Sequence, residues 1–373
     1  MINLTNIENI NTIRILDDNL YFVNNNLFKL YKFDNDNEFV EVVFTDFKIN
    51  KIFKVKNLII VTDQSNTGYK LLAEKIEKIE DFSLDSICEV SGIAVSTKWI
   101  SYEPVLIRNY LYDIVNSKLL WEINSPNLRF DKNLLFSLNS NGFKVYSSTY
   151  NNLELEFLMP NSKYNWSAFN YKNELMDHQA EIKRIIGVYK NIVWITLNSG
   201  RLLGIEMTQG SIKFDTLEIN RYIGKKPLFS HYDPEVVASK DWSLYLLQYT
   251  QLDEKNGVLF GLRNYYYFEI DLTDPANRYV IYDASDSFLQ FKIEADMANG
   301  YEWTWCENEI YFGRNFTEFN NLGVFNRLTK TVTWATRLEQ DNGQARNISK
   351  IEYGSGTLYV LDQLKTLHIF KNQ

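Results

Sequence analysis

Cysteine and histidine are scarce in this 373-residue chain, and their scarcity removes whole classes of chemistry. The two cysteines, Cys88 and Cys306, stand far apart with no Cys-x-x-Cys or metal-type spacing. A disulfide-dense fold is excluded, and both are expected to be small buried hydrophobes. The three histidines, His178, His231 and His368, are too few to suggest acid–base or metal chemistry. No nucleophile elbow, Walker loop, dinucleotide fingerprint or His-Glu-x-x-His pair appears, so no cofactor, metal or catalytic residue is expected. No run of 18 apolar residues exists, and the first residues carry neither a basic nor an apolar leader region. A cytoplasmic protein without membrane contact is the expectation. A basic excess is absent too: 39 Lys and Arg stand against 47 Asp and Glu, for a net charge of −8. The dispersed cations argue against nucleic acid, and the acidic balance suits solubility or a basic partner.

What the chain has is aromatic residues, 24 Tyr, 24 Phe and 8 Trp, and a repeat. An asparagine followed by a short apolar zigzag recurs at Asn19-Leu20-Tyr21-Phe22, Asn57-Leu58-Ile59-Ile60, Asn133-Leu134-Leu135-Phe136 and Asn191-Ile192-Val193-Trp194. Stretched or looser copies place anchors at Ile93, Val258, Ile310 and Leu358. The first intervals, 38, 35 and 41 residues, fit a unit of four short antiparallel strands, and the later ones fit the same unit with insertions. In the first unit the strands read Thr12 to Leu16, Leu20 to Val23, Leu27 to Phe33 and Phe39 to Phe44. The last unit has only three, and Ile2 to Ile7 is a spare strand at the other end. Pairing the two would close the final sheet and leave no open edge.

Three strand–turn–strand segments share a form: Leu111 to Trp121, Leu203 to Phe214 and Gly323 to Trp334 each run from an apolar strand through a tight polar turn to a closing aromatic. They resemble the quinoprotein-like (PQQ-like, WD40-like) propeller repeat. The resemblance implies an all-β fold, an eight-bladed β-propeller of four-stranded antiparallel blades closed by the N-terminal strand joining the C-terminal blade, with seven blades as the fallback. It also implies that Trp121, Phe214 and Trp334 dock between neighbouring blades. Residues 1–373 then form one propeller domain. The adjacent cysteines and calcium-type set of quinone enzymes are missing, so no quinone is expected.

Function is sought in the interruptions of the repeat, at about 160–183, 220–241 and 292–302, because loops on a rigid scaffold carry binding residues. Tyr164 and Trp166 lie in the first, and His231, Tyr232 and Asp233 in the second. Trp303 and Trp305 follow the third and alternate on a strand, so they share a face. These seven are the candidate partner-binding residues. Exposed, such aromatics anchor a protein or a glycan; buried, they cap the fold. The expected function is a non-catalytic scaffold for protein–protein interaction. An immunity or regulatory protein neutralising a basic partner is one alternative. A glycan-acting hydrolase or lyase with a funnel site is another.

Overall fold

The computed structural model describes the chain except residues 28, 34–38, 73–74, 103–104, 124–126, 148–151, 161–162, 170–171, 173, 200, 216–221, 224–249, 264, 274–278, 295–301, 316–317 and 372–373. The chain divides into two compact units, Met1–Asn124 with Asp286–Gln373, and Ser125–Ser285.

In the first unit, Thr12–Leu16, Asn19–Asn24, Lys29–Phe33 and Phe39–Phe44 form one antiparallel sheet in chain order. Glu302–Cys306, Glu309–Gly313, Leu322–Asn326 and Thr331–Thr336 form another. Ile348–Gly354, Thr357–Asp362 and Leu367–Lys371 supply three strands of a third, and its fourth is Ile2–Ile7, paired antiparallel with Leu367–Lys371. The spare strand and the incomplete sheet therefore join as the repeat demands. A seven-stranded sheet runs from Ile49–Val55 to Lys118–Ile123. It is two repeats fused, because the 13-residue strand Ile76–Cys88 pairs with Thr67–Leu71 and then with Ile93–Tyr102. Leu71 thus ends one strand and Ile76 begins the next.

The second unit holds two four-stranded sheets, Leu128–Asp131 to Leu153–Leu158 and Ile182–Tyr189 to Ile212–Asp215. A five-stranded sheet contains Gln251–Asp253, Val258–Arg263, Tyr266–Asp271 and Tyr279–Asp283, with Tyr222–Ile223 added parallel at its outer edge. A small hairpin, Trp166–Phe169 with Leu175–His178, stands between the first two. His178 is the last residue of the hairpin's second strand.

The recurring asparagine marks the turn from the first to the second strand in most repeats, with Gly92 and Gly356 in its place in two. Type I′ hairpin turns need positive φ at both central residues, and Asp17–Asp18 and Lys190–Asn191 adopt it. Gly257, at φ 65, takes that conformation without a Cβ penalty. Other asparagines stitch one sheet to the next by imitating a peptide group. Asn25 receives the Ile49 N–H and donates to the Ile49 carbonyl, both at 3.1 Å. Asn315 does the same to Ile348, at 2.6 and 3.2 Å. Each clamp satisfies both polar groups of a strand residue, at about 1 kcal/mol per bond.

Between sheets the core is a series of apolar clusters. Ile13, Leu20 and Phe22 pack on Leu361, Leu367 and Ile369, and Phe143, Val145 and Phe157 pack on Ile185, Val193 and Ile195. Among the described residues, two of the three docking aromatics have ring partners. Trp334 meets Phe370 of the following sheet edge-on at 5.6 Å. Phe214 meets Trp194 at 5.1 Å within a cluster that includes Leu259 and Phe268 of the next sheet. Trp121 is half-buried on its strand. Cys88 is buried as expected; Cys306 is exposed, because it ends its strand at a turn.

Candidate functional site

The first insertion builds a fixed projection. Tyr164, expected as a partner contact, is 1% exposed. Its ring lies in the core under the Arg201 guanidinium at 4.4 Å, and Arg201 is held by a bidentate, buried pair with Asp215 at 2.6 and 2.7 Å. Burying a guanidinium demands such a partner, and the ring supplies the remaining face. Tyr164 therefore anchors the insertion. Trp166 is half-buried; it stacks on His178 at 4.4 Å and donates from Nε1 to Asn198 Oδ1 at 3.1 Å. Asn198 also receives the Glu181 N–H and donates to the Gln179 carbonyl. With both ends fastened, the hairpin turns its second strand outward. Every residue from Leu175 to His178 is exposed, Leu175 at 59% and Met176 at 46%. Neither apolar residue stood out in the sequence, because an aliphatic residue carries no mark of exposure.

Trp303 and Trp305 are half-buried on the first strand of their sheet, opposite Phe312 and Ile310, and the Arg327 guanidinium lies 5.5 Å from the Trp305 ring. His231, Tyr232 and Asp233 lie outside the described residues. The candidates with described positions thus separate into an anchor, a stacked hairpin base and a strand pair.

A second constellation sits on the first strands of the repeats. In the first unit these strands lie side by side in the order Glu302–Cys306, Ile348–Gly354, Thr12–Leu16, Ile49–Val55. Several of their charges are matched. Lys350 lies 3.0 Å from Glu352 and reaches the Ile13 carbonyl, Arg14 lies 3.3 Å from Glu89, and Lys54 pairs with Asp17. In the second unit, Arg129 Nη2 donates to the Ile185 carbonyl at 2.9 Å, and Arg184 Nη2 meets Gln251 Oε1 at 3.5 Å. Burial, and then the Arg129 charge, pull the Arg184 guanidinium below the ordinary arginine range, though it stays charged at neutral pH. Burial pushes the nearby Asp131 carboxyl up, against the pull of Arg129, Lys132 and the Val188 amide.

No protein-family model matches the chain, and no curated protein matches it. Solved structures do. A computationally designed protein, Ika8, aligns with a TM-score of 0.58 at 10% identity, covering 98% of this chain and 96% of that one. BamB from Moraxella catarrhalis, a PQQ-like, WD40-type β-propeller protein, aligns with a TM-score of 0.54 at 9% identity, covering 100% and 98%. Such a likeness speaks to architecture alone. With the successive four-stranded sheets and the N-terminal strand completing the C-terminal one, it shows that the chain has the β-propeller fold.

Proposed function

We propose that this protein is a non-catalytic binding scaffold whose partner is another protein, held at the hairpin Trp166–Phe169/Leu175–His178. The observation that carries this reading is the contrast within the hairpin. Its base is tied by Trp166, Asn165 and Asn198, while Leu175 and Met176 project into solvent. A pre-ordered strand presenting apolar side chains loses little entropy on binding, which is how a small patch gains affinity. Ser167 and Asp177, bonded at 2.6 Å, give Leu175 a polar rim on its own face of the hairpin.

The test is affinity capture from the native organism with the wild-type chain and with a Leu175→Asp/Met176→Asp variant. Partners present with the first and absent with the second, at unchanged thermal stability, are the expected result. An identical partner set would sink this reading.

A further inference from the structure

The geometry points to an oxyanion-binding site at Arg129 and Arg184, on the first strands of two sheets of the second unit, built for a phosphate or dicarboxylate group. It is distinct from the hairpin. Three observations carry it.

The first is placement. Arg184 stands in the strand Ile182–Tyr189 between two irregularities of register, at Ile182/Arg184 and Ile185/Gly187. Bulges re-aim side chains and recur beside binding sites. The segment Ile182-Lys183-Arg184-Ile185 repeats as Ile49-Asn50-Lys51-Ile52 and Ile348-Ser349-Lys350-Ile351, each with the same shift after the first isoleucine. The cation is thus a designed position of the repeat.

The second is the supply of donors. A guanidinium has five N–H groups in a planar fork. Among the described residues, Arg129 spends one on a main-chain carbonyl and Arg184 makes one long contact to a neutral amide. Neither forms an ion pair with a carboxylate among these residues. Both are only half-buried, so the remaining donors stay within reach of a ligand.

The third is cost. Two like charges near each other on half-buried strands are unfavourable unless something of opposite sign joins them. Asp131 is the carboxylate beside Arg129, and it is shared with Lys132. An oxyanion receiving forked hydrogen bonds from both guanidiniums would offset the repulsion and satisfy the free donors together.

The experiment is titration calorimetry at constant ionic strength with two probes, inorganic phosphate and malonate, on the wild-type chain and on Arg129→Gln and Arg184→Gln variants. Saturable binding of either probe, weakened about tenfold or more in each variant as expected for loss of a charge-assisted bond, supports the site. The probe that binds identifies the anion chemistry. An Asp131→Asn variant should bind more tightly, a change in the opposite direction that a misfolded protein would not give. No saturable binding of either probe, or binding that survives in both arginine variants, overturns the inference.

Discussion

Lys350 and Arg184 occupy equivalent places in two repeats, each two residues after a clamped or bonded isoleucine and each at a shift of register. Around Lys350 the neighbours are Glu352 and the Ile13 carbonyl, so its charge is matched and it laces one sheet to the next. Around Arg184 they are Arg129 and an amide. The same backbone device therefore serves two ends. The repeat fixes where a cation stands, and the residue opposite decides whether it becomes a tie or a place for something else to bind. A lysine, a compact point charge, suits the first role, and the planar fork of arginine suits the second.

The sharpest way to break this contrast is to show that the second unit is simply careless with charge. Arg201 and Asp215 argue otherwise, since that pair is bidentate and both side chains are nearly fully buried. Asp215→Ala leaves a guanidinium buried beneath Tyr164 without its counter-ion. It should cost about 3–5 kcal/mol in urea denaturation, the usual cost of stranding one member of a buried pair. A loss below about 1 kcal/mol would mean that this unit tolerates unmatched cations anywhere. Arg184 would then carry no message.

A smaller effect sharpens the other side. In the first unit, Asp362 is fully buried and accepts from Arg346 at 2.8 Å and the Thr366 N–H at 2.8 Å, and its Oδ2 lies 3.0 Å from His368 Nε2. The other imidazole nitrogen lies 2.9 Å from Asn6 on the N-terminal strand. Burial opposes the Asp362 charge, but His368, the Thr366 amide and Arg346 together hold its carboxyl below the ordinary range. A group with a depressed folded value binds its proton more weakly folded than unfolded. Its stabilisation is then present at neutral pH, above the unfolded value of about 3.9, and is lost as pH falls through the folded value. Asp362→Asn should cost about 1–3 kcal/mol at pH 7, and the gap to wild type should close as denaturation is repeated toward pH 3. A gap independent of pH would show that the carboxylate's charge is not what ties the sheet.

The architecture was open to reading because it follows from period and turn chemistry. Thr12–Leu16, Phe39–Phe44 and Ile2–Ile7 fall where alternation and turn residues put them. The fusion of two repeats through Ile76–Cys88 was not visible, because a strand shared by two sheets looks locally like any strand. The site was less legible for a physical reason. Tyr164 has the composition of a binding residue, and only the distant Arg201 makes it an anchor. Leu175 and Met176 are exposed by the fastening of Asn198, twenty residues or more away along the chain. The Ile-x-Lys/Arg-Ile pattern was readable in principle, but its meaning depends on which side chain faces it from the next sheet.

The smallest expected effect tests the comparison most directly, because its sign matters more than its size. Replace each cation by methionine, which keeps the apolar stem and removes the charge. Lys350→Met loses a partly exposed ion pair and a bond to a carbonyl, and should cost about 0.5–1 kcal/mol. Arg184→Met loses one long contact to an amide and relieves the field of Arg129, so its stability should equal or exceed that of wild type in the absence of anions. Salt supplies an internal control. Added sodium chloride screens attraction in one case and repulsion in the other, so it should shrink the Lys350 deficit and shrink any Arg184 gain. Measured side by side in urea, equal losses for the two variants would erase the distinction between tie and site. Opposite signs would mean that one position in a repeat has been put to two uses by changing the cation and what faces it.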